Sequence, residues 1–130
     1  MKLDALKTLT VTVTNADANV GSAIPANMRR AIYKIKATNL FAGINLLTLG
    51  KRENGAGATT VIDRIQTVLI YDIWNDPDEL KEDSAPLYIV EGPVVSPTVP
   101  AVGTSFIRAV CSAAGQFFLT LWYADTPAPA

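Results

Sequence analysis

Few residues in this chain could carry out acid–base chemistry, because its 130 residues include no histidine. Histidine is the usual general base near neutral pH and the most common metal ligand. Asp63 and Glu91 could join Arg64 and Arg108 as a catalytic set, but ion pairs within or between strands are the simpler interpretation of these residues. The sequence therefore predicts no catalytic residue and no enzyme.

Three further patterns could bind a ligand, and each has a plainer interpretation. Gly55 and Gly57 lack the lysine and hydroxyl residue of a phosphate loop, so they predict a hairpin tip. The acidic residues within 72–83 could hold Ca²⁺, but the EF-hand spacing is missing and a solvated acidic loop is favoured. The basic residues of 29–36 and 51–52 could form an anion-binding stripe, although such residues usually solvate an outer sheet face. We expect no cofactor and no metal, while the sequence leaves cation binding by residues 72–83 open.

The aromatic and sulfur residues also favour packing over chemistry. Cys111 lies in a strand-like run, where a small buried apolar residue is expected rather than a reactive thiol. Trp74 and the pair Trp122 and Tyr123 could stack on sugars, as in carbohydrate-binding modules. Packing in the core or in a subunit interface is the favoured interpretation, since no polar partners accompany them in sequence.

Composition narrows the class of partner. Apolar residues make up 49% of the chain and charged residues 18%, whereas about 25% charged is typical. The low charge predicts a partly apolar surface that favours burial against protein. The balance of 11 basic and 12 acidic residues argues against a nucleic-acid partner, which needs clustered Lys and Arg. No run approaches the ~18 apolar residues of a membrane span and no secretory signal is visible, so we expect synthesis in the cytoplasm and no membrane partner.

Alternating apolar and polar residues predict β-strands along most of the chain. Residues 6–14 place Leu9, Val11 and Val13 on one face and threonines on the other. Residues 15–22 are predicted as a turn. Further strands are expected over 29–38, 44–49, 59–73, 87–90, 105–112 and 116–124.

Two segments carry more detailed predictions. Residues 59–73 should contain a bulge or divide into two strands. Their odd-numbered apolar residues are expected to face the core: Val61, Ile65, Leu69, Tyr71 and Ile73. Asp76 as N-cap and Pro77 at the first helical position predict one short helical turn near 76–82.

These elements predict an all-β chain, an antiparallel β-sandwich or jelly roll of about seven or eight strands. Residues 1–125 should form a single domain, with residues 1–6 as a flexible arm and residues 126–130 as a disordered tail. Because the last strand is apolar on both faces, it is either covered on both sides or shows one face to a partner. The candidate interface residues are Leu6, Leu9, Val11, Val13, Phe118 and Trp122.

Two segments resemble a known group of proteins. Residues 24–39 read IPANMRRAIYKIKATN and residues 100–123 read PAVGTSFIRAVCSAAGQFFLTLWY. The first resembles the opening strand of small β-sandwich virion proteins of tailed phages and related viruses, and the second resembles their closing hairpin. The resemblance implies a capsid decoration, or cement, protein that binds between major capsid subunits as a trimer on the virion surface.

Other functions remain open on the residues themselves. A tail or spike component and a small jelly-roll coat protein are alternatives within the same group of virion proteins. A carbohydrate- or ligand-binding β-sandwich module is the alternative from a different class. A binding module should be a monomer with saturable affinity for a glycan, whereas a decoration protein should be oligomeric and bind shells.

Overall fold

The computed structural model describes residues 2–53, 59–95, 98, 104–112 and 115–129. The predicted tips at Gly55 to Gly57 and at residues 113–114 lie outside these ranges. A 3-10 turn, Leu3–Ala5, precedes the strands. The strands are β1 (Lys7–Val13), β2 (Ala18–Ile24), β3 (Met28–Asn39), β4 (Asn45–Arg52), β5 (Thr60–Thr67), β6 (Ile73–Asp76), β7 (Tyr88–Glu91), β8 (Ser105–Cys111) and β9 (Phe117–Pro127).

The strands form two antiparallel sheets whose order is that of a jelly roll. Sheet A has the order β1-β9-β3-β6, with β7 also paired to β3, and sheet B has the order β2-β8-β4-β5. Consecutive strands such as β1 and β2, or β8 and β9, therefore lie in opposite sheets. This double wrapping of the chain is the arrangement of eight-stranded jelly rolls, here with β7 added. The predicted all-β sandwich is confirmed.

Sheet A is organised around β3 and β9, which pair from Met28 with Pro127 to Asn39 with Phe117. A bulge between Ile32 and Lys34 shifts the register once along this ladder. β1 pairs with the other side of β9 over its whole length. β9 is therefore central in sheet A, but only one of its faces is buried in the core, and the other carries Phe118, which is 48% exposed, and the half-buried Trp122.

The core lies between the sheets and takes alternate residues from both. Beyond the bulge, β3 contributes Ile35 and Ala37, and β9 contributes its odd-numbered residues. Sheet B contributes the inward-facing residues of β4 and β8. Side chains with no exposure at all include Ile35, Ala37, Leu47, Val90, Phe117, Leu119 and Leu121. Period-two burial of this kind is what the sequence predicted for these strands.

A buried ion pair links two strands of sheet A, and a hydrogen bond from the same arginine reaches sheet B. Arg30 on β3 is 2% exposed, and its Nε and Nη2 donate to the two carboxylate oxygens of Asp125 on β9 at 2.8 and 3.0 Å. Its Nη1 donates to the carbonyl of Ser22 on β2 at 2.9 Å. The guanidinium also lies 4.6 Å from the ring centre of Tyr123. Arg30 is therefore a buried structural residue and not part of an outward basic stripe.

The turn predicted over residues 15–22 is wrong for most of its length. β2 occupies Ala18–Ile24 and pairs with β8. Asn19, Gly21 and Ser22 have little intrinsic preference for strands, but burial of Val20 and Ile24, each 2% exposed, overrides it. Gly21 has φ +78°, where the pairing with β8 becomes irregular.

Residues 59–73 contain the predicted bulge, since the pairing of β5 with β4 skips a residue between Val61 and Asp63, but most of their apolar residues do not face the core. Of the five expected inside, only Ile65 is buried, at 3% exposure. The other four expose between 42% and 68% of their surface. Asp63 and Thr67 share the inward face of β5 with Ile65, since strand residues two apart point the same way. The turn at 68–72 then breaks the alternation before β6 begins.

Two terminal or local predictions are also corrected. No helix forms at 76–82, because β6 continues to Asp76, which pairs with Ile35. The turn that follows is closed by two hydrogen bonds, from the N–H of Ser84 to the carbonyl of Lys81 and from the N–H of Lys81 to the hydroxyl of Ser84. The tail prediction is wrong for residues 126–128, since β9 extends to Pro127 and the N–H of Ala128 donates to the carbonyl of Asn27 at 2.9 Å. Among the described residues, no helix is long and apolar enough to span a membrane.

Candidate interaction surfaces

The outer face of sheet A carries rows of side chains that cross several strands. One row runs Thr12, Phe118, Thr38 and Ile73, from β1 through β9 and β3 to β6. The next runs Thr10, Thr120, Lys36 and Asn75. β-Branched and aromatic residues suit a pleated, half-exposed surface, which explains the threonines.

A shallow depression lies where these two rows meet. Its lining is Thr10, Lys36, Thr38, Phe118 and Thr120. The hydroxyls of Thr10 and Thr120 are 3.0 Å apart and hydrogen-bonded, and the ring of Phe118 is 48% exposed. An aromatic surface beside hydroxyls and an ammonium group offers both apolar and polar contacts to a ligand or a protein.

Trp122 lies one row further along the same face. It pairs with Thr8 on one side and Lys34 on the other, and the Lys34 ammonium lies 4.9 Å from its ring centre. Lys34 Nζ also donates to the carbonyl of Asp78 at 2.9 Å. Trp122 is half-buried because these contacts cover part of its ring.

The structure separates the six candidate interface residues into two groups. Val13 belongs to the buried core, and Leu9 and Val11 pack against it from the same face of β1. Phe118 and Trp122 project from the opposite face of sheet A. Leu6 follows the 3-10 turn and is half-buried. Within this chain, only the two aromatic residues share an outer surface.

A second surface is the four-loop end, which we define by the loops of residues 14–17, 40–44 and 68–72 and the described residues 112, 115 and 116. Hydrogen bonds bring these loops together. The N–H of Leu40 donates to the carbonyl of Gln116 at 2.8 Å, and the N–H of Cys111 donates to the carbonyl of Thr14 at 2.9 Å. A methyl group at Gly115 would lie 2.4 Å from Cβ of Phe41, so the loops approach too closely there for any side chain.

Large apolar side chains are concentrated at the four-loop end and the adjoining start of β6. Eleven large hydrophobic residues are exposed among the described residues, and six of them lie here, each with 44–68% of its surface exposed. They are Ile44, Val68, Leu69, Ile70, Tyr71 and Ile73. Scattered apolar residues are normal on a protein surface, but a concentration of this kind indicates a site that binds another molecule.

Two polar side chains hold these apolar loops in place. Asn39 is fully buried, and its Nδ2 donates to the carbonyls of Phe41, Gly43 and Leu69 at 3.0, 3.2 and 2.9 Å. The carboxylate of Asp72 accepts hydrogen bonds from the backbone N–H groups of Val68 and Leu69 at 3.2 and 3.0 Å. The exposed apolar side chains therefore stand on loops with satisfied backbone groups. The alternation of residues 59–73 does not reveal this site, because it predicts that Leu69, Tyr71 and Ile73 face the core.

Charged residues are scarce at the four-loop end. Of the 23 charged residues, 11 basic and 12 acidic, the described loops contain only Asp17 and Asp72. Asp72 binds backbone N–H groups, and Asp17 pairs with Arg108 at 3.0 Å. The two residues of each strand that border this end are all uncharged. The opposite end contains the pairs Arg29–Glu91 and Lys51–Glu53, so the molecule has one apolar and one charged end.

Three of the four residues considered for catalysis, Asp63, Glu91 and Arg108, make side-chain contacts within the fold. Asp63 accepts a hydrogen bond from the hydroxyl of Tyr88 at 2.7 Å, which ties β5 in sheet B to β7 in sheet A. Burial, followed by the hydrogen bond and charge of Asp63 and the charge of Asp76, raises the pKa of Tyr88 to about 12. Glu91 pairs with Arg29, as described above, and not with Arg108. Within the described ranges, no three metal-ligating side chains come close enough to hold an ion, including those of residues 72–83.

The single cysteine is buried, as predicted. Cys111 on β8 is 2% exposed, and its Sγ lies 3.3 Å from the carbonyl of Gly115. Burial is the largest of the influences on the pKa of the Cys111 thiol, and it raises that pKa. A buried thiol with a raised pKa is a poor nucleophile, because the thiolate is the reactive form. Trp74 packs against the core, which favours a structural role for it over sugar stacking.

Together the fold and its surfaces define a jelly-roll β-sandwich with an apolar, charge-poor end. Compared with protein-family models, with curated proteins and with solved structures, the chain gives no match.

Proposed function

We propose that this chain is a non-enzymatic structural protein of a virion, a capsid decoration protein that binds between major capsid subunits as a trimer. The observation that carries the proposal is the hydrogen-bonded four-loop end, where six large apolar side chains stand exposed in one region. Apolar area gains roughly 25 cal/mol per Å² when it leaves water. A surface of this kind is built for burial against protein, and no chemistry needs to occur on it.

The topology supports the same proposal without establishing it. Jelly rolls are used by viral capsid proteins and also by lectins, so the fold narrows the range of functions but does not select one. The resemblance of residues 24–39 and 100–123 to small virion proteins favours the viral alternative. A small coat protein or a tail component would use the same fold, and the location in the particle separates these from a decoration protein.

The test is association with viral particles. Particles of the virus that encodes the chain, purified on a density gradient, should contain it in many copies at the outer capsid surface, as seen by mass spectrometry and electron microscopy. Chemical release should leave shells that bind the purified chain again. Particles without the chain, or with the chain only in the tail, would contradict its assignment as a decoration protein.

One observation favours a second function, glycan binding. The depression on sheet A places the exposed Phe118 ring beside the hydroxyls of Thr10, Thr38 and Thr120 and the ammonium of Lys36. Sugars are bound by such combinations of apolar ring and polar groups. A glycan array should then show saturable binding that Phe118→Ala abolishes, and an array without binding would remove this alternative.

A further inference from the structure

We infer that the four-loop end lies at the symmetry axis of a trimer and is covered by the same end of two other copies. The inference rests on the proposed function, because it assigns a surface to the oligomer proposed there. Its occupant is a second and third copy of this chain. Three features of this end support the assignment: its exposed apolar area, its few charged residues and the hydrogen bonds that hold its loops.

The exposed area at this end is large for a monomer. Six large side chains that each expose between 44% and 68% of their surface offer on the order of 600 Å², at the upper end of the range for the largest apolar patch of a typical monomer. Each partner in a standard protein interface contributes about 800 Å². The six apolar side chains alone would therefore supply most of the area that one partner contributes to such a contact.

The scarcity of charged residues at the four-loop end favours other copies of the chain as its partners. At a symmetry axis every charged group meets its own equivalents, and like charges that face one another cost several kcal/mol. The strand ends that surround the four loops contain no charged residue, and the Asp72 carboxylate is held by its own loop. The carboxylate of Asp17, 41% exposed, is neutralised by Arg108. A different partner would gain specificity from complementary charge, and both carboxylates at this end already have partners within the chain.

A lipid surface is a poorer match. Membrane-binding surfaces combine apolar residues with Lys or Arg that attract anionic lipid, often with Trp at the interface. The described loops of the four-loop end contain no Lys, Arg or Trp. The loops are also held by Asn39 and Asp72, so little conformational entropy is lost when copies meet.

The test introduces one positive charge per copy at the proposed axis. Leu69→Lys and Ile44→Lys change side chains that are 64% and 63% exposed. Val94→Lys is the matched control, since Val94 is 62% exposed. The next residue, Val95, donates its N–H to the side chain of Asn27 in the turn between β2 and β3, at the opposite end of the molecule. Light scattering after size-exclusion chromatography gives the mass, and circular dichroism shows whether each variant folds.

The unmodified chain and the Val94→Lys control should have a mass near 42 kDa, three times the 13.9 kDa of one chain. Folded Leu69→Lys and Ile44→Lys should fall to 13.9 kDa. If both remain trimeric but no longer bind particles, the four-loop end contacts the shell, the inference is overturned and the proposed function stands. If both remain trimeric and bind particles normally, the inference also fails. A monomeric unmodified chain contradicts the trimer itself.

Discussion

Arg30 and Asp125, 95 positions apart in the chain, form a two-point ion pair in the interior of the sandwich, with side-chain exposures of 2% and 13%. The carbonyl of Ser22 binds the remaining side of the guanidinium. The pair joins the end of β9 to β3 and, through Ser22, to the opposite sheet. Neither residue stands out in the sequence, because each resembles an ordinary surface charge in an alternating strand.

Asp125→Asn should lower the free energy of unfolding by roughly 3–5 kcal/mol, since it leaves a buried guanidinium without its counter-charge. Urea denaturation gives the value. Glu91→Gln is the control, because its partner Arg29 is partly exposed and the Glu91 side chain is 43% exposed, where an ion pair contributes about 0–1 kcal/mol. Equal losses in the two variants would show that burial of the Arg30 pair has no special role.

The same ion pair allows a test of whether the loss of stability in Asp125→Asn comes from the unpaired charge of Arg30. Replacing both partners together, as Arg30→Met with Asp125→Leu, should cost less than Asp125→Asn alone, because no buried charge is then left unpaired. A double variant less stable than the single one would indicate that the pair itself stabilises the fold strongly.

Tyr88 should make the stability of the protein depend on alkaline pH. Its pKa rises from 10.0 when unfolded to about 12 in the fold, so the folded state holds the phenol proton more tightly. The resulting stabilisation is complete below pH 10 and is lost as pH rises from 10 to 12. In Tyr88→Phe, unfolding free energies should fall less steeply over this range, and the phenolate that forms near pH 12 should be missing from the ultraviolet titration. An unchanged titration would contradict the assignment.

Asn39 should be the residue on which the shape of the four-loop end depends. Asn39→Leu removes three hydrogen bonds to loop carbonyls and should cost about 3 kcal/mol, because buried carbonyls are left without donors. Amide exchange of Tyr71, whose N–H donates to the carbonyl of Asn39 at 2.7 Å, should become faster. Thr38→Ala, on the neighbouring outer-face residue, is the control and should leave that exchange rate unchanged.

Cys111 should resist thiol reagents in the folded protein. Its burial raises its pKa and blocks access, so an aromatic disulfide reagent at pH 8 should react at a rate limited by opening of the fold. Complete reaction is expected in denaturant. Rapid reaction of the native protein would contradict the position of Cys111 between the sheets.

The strands that the sequence predicted are those in which local preference and burial agree. In β1, threonines alternate with Leu9, Val11 and Val13, and in β9 the buried residues Phe117, Leu119 and Leu121 alternate with residues of the outer face. Such patterns fix strands and class of fold. The pairing order that makes the sandwich a jelly roll depends on contacts between distant strands, which a local pattern does not contain.

The errors arose where tertiary contacts overrode local preference. β2 has turn-forming residues but buries Val20 and Ile24, and the helix signal at Asp76 loses to pairing with Ile35. The most instructive error concerns Leu69 and Tyr71, which were assigned to the core by extending the alternation of β5 through a turn. The structure exposes both, and the resulting apolar end is the surface on which the proposed assembly depends.

Sedimentation equilibrium of the unmodified chain tests that assembly most directly. If the apolar four-loop end is covered by other copies, a single species near 42 kDa should persist across a wide dilution series, three times the 13.9 kDa chain. A stable 13.9 kDa monomer at every concentration would contradict the account.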